Sequence, residues 1–200
     1  MFGHEINHFS RQRIEKVGVI VGHTAKAPGA RIVATDGRVT SEYEYHKSVM
    51  TIALSKQNSL GSLAPMFNEL VFRDNIGIAG ATNKIIESGV DLSIELHTNA
   101  SNGNAVGCEA FYYMPNSKSI CEYYCELFCE RFKRKNRGAK DIKKNGRGVT
   151  NLSLLQDIPY SILVEPFFGD NKDEYISKND YASFLAEFVK SIKLKSLSWR

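Results

Sequence analysis

Apolar residues fall into short β-branched runs separated by stretches of helical periodicity. The continuous run Val17–Val21 predicts a buried strand that ends at Gly22-His23. Residues 24–40 carry Pro28, Gly29 and Gly37 with few apolar neighbours, which predicts a long loop. A helix is expected from Ser41 to about Asn58, a strand over 68–73, and a second helix over 79–88, closed by Gly89. Residues 90–97 alternate apolar with polar and predict a strand, which runs into a small, polar loop over 98–107. A strand follows over 109–114, then a helix over 117–135. Residues 140–151 predict a glycine-rich basic loop, and 152–156 a short helical turn. The pattern closes with a strand over 161–165 and a helix over 179–193, whose Phe184, Leu185, Phe188, Val189 and Ile192 share one face.

Strands alternating with amphipathic helices predict one α/β layered domain around a mostly parallel sheet. Composition agrees: 42% hydrophobic and 24% charged residues describe an ordinary soluble globular chain. No apolar run approaches the ~20 residues needed to span a bilayer. The start of the chain, with His4, Glu5, His8, Arg11 and Arg13, lacks the hydrophobic core of a secretory signal, so residues 1–15 read as a polar leader. A net charge of +4 without a basic block argues against a nucleic-acid partner. The four cysteines read as reduced thiols. Cys121, Cys125 and Cys129 recur along one helical stripe. A soft-metal site there lacks a fourth ligand and the usual Cys-x-x-Cys turn, so they read as small buried side chains.

Three polar residues stand where apolar strands stop: His23, His97 and Glu165. Ligand sites of open α/β sheets form outside the carboxyl ends of the strands, so the three are expected to share a crevice. A fourth candidate opens the helix at Ser41, where Ser41-x-x-Glu44 is a capping-box pattern. Glu42 aligns with Tyr45, Val49, Ile52 and Ala53, whereas Glu44 aligns with Ser48, Thr51 and Ser55. Glu42 therefore faces inward and needs a partner, because burying an unpaired carboxylate costs several kcal/mol. Interaction with the helix dipole is the alternative role for it. His23, Glu42 and His97 together make the two-histidine, one-carboxylate set of catalytic zinc, with the fourth position left to water. Glu165 is then the expected general base, later protonating a leaving amine. The set describes metal-assisted hydrolysis of an amide.

Five segments resemble motifs of the zinc-dependent N-acetylmuramoyl-L-alanine amidases. His23-Thr-Ala-Lys-Ala-Pro-Gly29-Ala30 resembles their G-H-G-G-x-D-x-G-A, and Ser41-Glu42-Tyr-Glu-Tyr45-His46 their E-x-x-x-N. Ser93-Ile-Glu-Leu-His97-Thr-Asn99-Ala100 resembles S-I-H-A-N-A, with Glu95 and Leu96 changing the spacing. Asn136-Arg137-Gly138-Ala-Lys140 is similar to N-R-G-x-K, and Pro159-Tyr-Ser-Ile-Leu-Val-Glu165-Pro-Phe-Phe168 to P-x-x-L-V-E-x-G-F. The order and approximate spacing hold from about Lys16 to Ile192. Thr24, Ala25 and Ala27 depart from the glycines and aspartate of the first motif, and His46 from the asparagine of the second.

The resemblance implies a mixed sheet of about six strands with helices on both faces, and a catalytic domain over 16–200. It implies one zinc ion on His23, Glu42 and His97, Glu44 being the competing carboxylate, and Glu165 as the catalytic group. The substrate implied is peptidoglycan, cut between the lactyl group of N-acetylmuramic acid and L-alanine. Arg137, on a loop with Lys140 and Lys143, is a candidate for a stem-peptide carboxylate. Asn99 either orients substrate or holds its turn. A monomer is expected, made in the cytoplasm and reaching the wall as a phage lysin does, or acting within a developing cell.

Other readings remain. A wall-binding module without catalysis would not need all four site residues. A zinc carboxypeptidase is expected to show His-x-x-Glu, but Lys26 stands three residues after His23. His4-Glu5-Ile-Asn-His8 is a literal zincin His-Glu-x-x-His. It has no surrounding apolar stripe and no third ligand at a typical interval. Deleting residues 1–10 separates the readings: a zincin loses metal and activity, whereas the site at the strand ends predicts that metal content and wall lysis both survive.

Overall fold

The structure, a computed structural model, describes residues 12–59, 66–145 and 149–196. In chain order the strands are β1 Val17–Val21, β2 Arg31–Val33, β3 Val39–Ser41, β4 Glu69–Phe72, β5 Leu92–Leu96, β6 Cys108–Tyr112, β7 Asn136–Asp141 and β8 Tyr160–Glu165. The helices are α1 Glu42–Ser59, α2 Gly77–Glu87, α3 Lys118–Phe132, α4 Ile142–Asn145, α5 Val149–Ser153 and α6 Lys178–Ser196. Six strands join in the order β4-β1-β5-β8-β6-β7. Every pairing is parallel except that of β6 with β8, so β6 and β7 run against the other four. This is the mixed, mostly parallel sheet expected from the sequence.

Central parallel strands are covered on both faces, so they read as apolar runs. Val17, Val19 and Val21 of β1 join Leu92, Ile94 and Leu96 of β5 and Ile162 and Val164 of β8 in a core shared with α1, α3 and α6. Ile20, Val71 and Leu163 face the other way and pack with Ala81 and Ile85 of α2 and Leu152 of α5. Between these helices and β1 there is no room to spare: a Cβ on Gly18 would stand 2.8 Å from Ile85 Cδ1. The alternation in residues 90–97 has a different meaning from the half-exposed strand it suggests. All five residues of β5 are buried, Ser93 and Glu95 included.

Helix starts and stops follow local chemistry. Ser41 Oγ accepts the Glu44 N–H at 3.2 Å, the N-cap half of the expected capping box. Along α1, Tyr45, Val49 and Ala53 are buried beneath Glu42, whereas Thr51 and Ser55 do not enter the core. The third helix ends at Phe132 rather than continuing to Lys135, because Lys133 turns left-handed (φ 52°) and the Arg134 N–H returns to the Cys129 carbonyl.

Two expectations need correction. The loop over 24–40 contains the antiparallel pair β2–β3, whose three-residue strands are too short for a periodic signal and contribute Ile32 to the core. The basic loop over 140–151 contains the end of β7 and the short helices α4 and α5. As an edge strand of polar composition, β7 carries no apolar run to reveal it. Within the span read as a polar leader, Ile14 is buried and its N–H donates to Ser196 Oγ at 3.0 Å. His4, Glu5 and His8 lie outside the described residues.

Cys121 and Cys125 are buried as expected, and burial pushes the Cys121 thiol well above its usual pKa. Among the described residues no helix is long and apolar enough to cross a membrane.

The contact between α3 and α6 is aromatic. Phe184 meets Phe128 edge-on at 5.1 Å and Tyr124 at 5.4 Å, and the Tyr124 and Tyr181 hydroxyls share a hydrogen bond at 2.8 Å. Phe184→Ala is expected to lower unfolding free energy by about 3–5 kcal/mol, read from urea denaturation.

Candidate metal centre and active site

Four sequence candidates meet at the carboxyl edge of the sheet. His23 follows β1, His97 follows β5 and Glu165 ends β8, three neighbouring strands, while Glu42 opens α1 above them. His23, Gly29, Ala30, Glu42, Arg73, His97, Asn99, Phe111, Asn151, Leu163 and Glu165 are among the residues lining one cavity of ≈ 600 Å³.

Glu42, one of these lining residues, is 2% exposed. Its Oε2 is 3.2 Å from His23 Nε2 and accepts the Ala30 N–H at 2.8 Å. Its Oε1 is 3.1 Å from His97 Nδ1 and accepts the Thr98 N–H at 2.8 Å. Burial alone would raise the pKa of Glu42, but the two histidines outweigh it and hold the carboxyl well below its usual range. One ligand atom from each of His23, Glu42 and His97 lies within 4.8 Å of the others. Glu44, the alternative carboxylate, is exposed on the far side of the helix turn and pairs loosely with Lys47 at 4.0 Å.

The backbone makes room for this cluster at two glycines. A Cβ on Gly22 would fall 2.5 Å from His97 Cε1, and one on Gly29 would run into Glu42 Oε2 and the His23 ring. His23 itself adopts a left-handed conformation (φ 64°), which a non-glycine residue holds at a cost of about 1–3 kcal/mol. At His23 that strain sits in the turn that delivers a ligand.

Residues beyond the sequence candidates complete the site. Glu95, 2% exposed, accepts at Oε1 from Asn151 Nδ2 at 2.6 Å and Arg73 Nη1 at 3.3 Å, and lies 3.0 Å from His97 Nε2. Burial lowers the pKa of His97, but Glu42 and Glu95 together raise it to about 10. The strand-end rule that flags His23, His97 and Glu165 also flags Arg73 when applied to the strand over 68–73. Glu95 gives no such signal, because it sits inside a strand.

The two substrate candidates are placed differently. Asn99 lines the cavity, and its Nδ2 donates to Glu109 Oε1 at 2.5 Å while its backbone bonds Phe167 and Gly169. Arg137 is on β7 outside the cavity lining, 2.7 Å from Glu109 Oε2 and 5.0 Å above the Phe168 ring. Lys140 pairs with the same Glu109 oxygen, and these two cations overcome burial to keep the Glu109 carboxyl below its usual pKa.

The chain matches the family model described as N-acetylmuramoyl-L-alanine amidase over residues 17–193. Among solved structures it resembles the catalytic domain of the CD27L endolysin targeting Clostridia difficile, with 25% identity, 88% of this chain and 97% of that one covered, and a TM-score of 0.63. An N-acetylmuramoyl-L-alanine amidase from Clostridium difficile 630 is 19% identical over 93% of this chain and 98% of its own, with a TM-score of 0.68. AmiC2 of Nostoc punctiforme is 18% identical over 93% and 99%, with a TM-score of 0.64. No curated protein matches the chain significantly in sequence.

His46 is fully buried beside this site, 2.7 Å from Thr98 Oγ1 through Nε2, with no hydrogen-bond partner for Nδ1. Burial pushes its pKa down to about 4. Because the folded value lies below the unfolded one of about 6.5, neutral His46 stabilises the fold above that pH and the contribution is lost as pH falls toward 4. In urea titrations of metal-free protein, the wild type should lose about 2 kcal/mol more than His46→Gln between about pH 7 and pH 5.

Proposed function

Because the chain belongs to the N-acetylmuramoyl-L-alanine amidase family, we propose that His23, Glu42 and His97 hold a zinc ion and that Glu165 moves the protons of the hydrolysis. The protein is an amide hydrolase of peptidoglycan; the zinc, the residue roles and the bond cut are the finer reading. The observation that carries it is the convergence of two imidazoles and one carboxylate to within 4.8 Å, with Glu165 lining the same cavity.

The donors suit the ion. Two imidazole nitrogens and one carboxylate are the ligands of a catalytic zinc site, and three protein donors leave a position open toward the cavity. Glycine at positions 22 and 29 keeps the space around those donors clear. A zinc ion bound there supplies Lewis acidity, which polarises an amide carbonyl and makes water nucleophilic near neutral pH.

The chain's own residues do the rest. Glu165 accepts a proton from the attacking water and returns it to the departing nitrogen of L-alanine, so that the amide bond breaks with a free amine as product. Phe111 and Leu163 give the cavity an apolar wall suited to the methyl groups on either side of that amide. Asn99 keeps its loop against Glu109, which is the turn-holding role. Arg137 and Lys140 share one carboxylate between two cations, a net positive cluster outside the cavity lining that could meet a stem-peptide carboxylate.

Glu165→Gln should retain one equivalent of zinc and lose about 10²–10⁴-fold in turnover, whereas His23→Ala and His97→Ala should lose the metal. A chelator should abolish activity, and added zinc should restore it. Digestion of purified walls should free L-alanine amino termini without new reducing sugars. Wild-type turnover by Glu165→Gln would remove Glu165 from the reaction, and new reducing ends would point to a different bond.

A further inference from the structure

We propose that Glu95 is a positioning residue that fixes the His97 imidazole so that Nδ1 faces the metal position, an inference that rests on the zinc reading above. Residues two apart on a strand project to the same side of the sheet. Glu95 and His97 are so related, and this puts the Glu95 carboxylate beside the far edge of the imidazole, 3.0 Å from Nε2. Nδ1 of the same ring is 3.1 Å from Glu42 Oε1. The two carboxylates therefore address opposite nitrogens, and only Glu42 is on the ligand side.

Glu95 is itself held in place. Asn151 Nδ2 from α5 and Arg73 Nη1 from the end of β4 both donate to the oxygen that faces His97. Arg73 also balances the charge of a side chain only 2% exposed, which would otherwise be costly to bury ionised. With Nε2 donating to Glu95, the ring is left with a bare Nδ1 when His97 is a neutral ligand. Its rotation is blocked as well, since a flip would break the bond to Glu95. A carboxylate accepting from the second nitrogen also makes a histidine a more basic donor.

The test is zinc affinity, measured by isothermal titration of zinc into metal-free protein, for wild type, Glu95→Gln and Glu95→Met. Methionine keeps the length and removes the acceptor, whereas glutamine keeps an oxygen without the charge. The expected order is Glu, then Gln, then Met, with the methionine variant weaker by about 10–100-fold. Excess zinc should restore most of its turnover, which a merely structural defect would not allow. Equal zinc affinity in all three proteins overturns the proposal. Should the methionine variant fail to fold, wild-type affinity in Glu95→Gln overturns it instead. A wild-type protein that takes up no zinc refutes the metal site itself, a result distinct from either.

Discussion

Glu42 is ionised at 2% exposure, and a carboxylate in that position must be neutralised or met by donors from every side. Four groups from separate parts of the chain meet it: His23 after β1, Ala30 in the following loop, and His97 with Thr98 after β5. Each is placed by something the fold already requires. The histidines stand where central strands end, and the Ala30 N–H is delivered by a loop that Gly29 lets close over the carboxylate. Helix α1 adds its own favourable field, since Glu42 occupies the first turn. The site is the place where sheet, helix and loop are tied together.

The sequence makes the strand ends legible because a buried parallel strand is an apolar run and its last polar residue is conspicuous. His23 and Glu165 stand out in that way, and α1's apolar stripe separates Glu42 from Glu44. Less is legible where polar residues lie inside an element. Glu95 occurs within an alternating stretch that resembles a half-exposed strand, and only the helices packed on the two sides of the sheet show that both of its faces are covered. Asn151 arrives from a short helix with no periodicity to announce it. In the resembling motif the histidine directly follows Ser-Ile, whereas here Glu95 and Leu96 intervene. The structure gives that acid three partners, His97, Arg73 and Asn151, at one oxygen.

The same logic explains why β7 is hidden. An edge strand needs no second apolar face, and Asn136–Asp141 instead contributes Arg137 and Lys140 to Glu109 on β6. Glu109 also receives Asn99 from the loop after β5, and its backbone lies opposite Glu165 in the antiparallel pairing of β6 and β8. One acid thus links the edge strand, the reversal in sheet direction and the residue proposed to transfer protons. That cluster holds two cations against one acid, whereas Glu42 and Glu95 place two carboxylates around the single ring of His97.

Two carboxylates on one imidazole have a consequence for how the site is filled. Glu42 and Glu95 push the His97 pKa up to about 10 against the opposing effect of burial, which favours a proton on the ring between the two carboxylates. The proton occupies the place in the charge balance that a divalent cation takes on the proposed reading. An incoming ion must displace it, and metal uptake by a histidine ligand is accordingly coupled to proton release. Arg73 limits this competition, because it donates to the same Glu95 oxygen that faces His97 and offsets part of that acid's charge. A second free carboxylate on His97 would hold the proton more tightly still and favour the protonated, empty site. Pairing that carboxylate with arginine lets it orient the ring without competing so strongly for what the ring must give up.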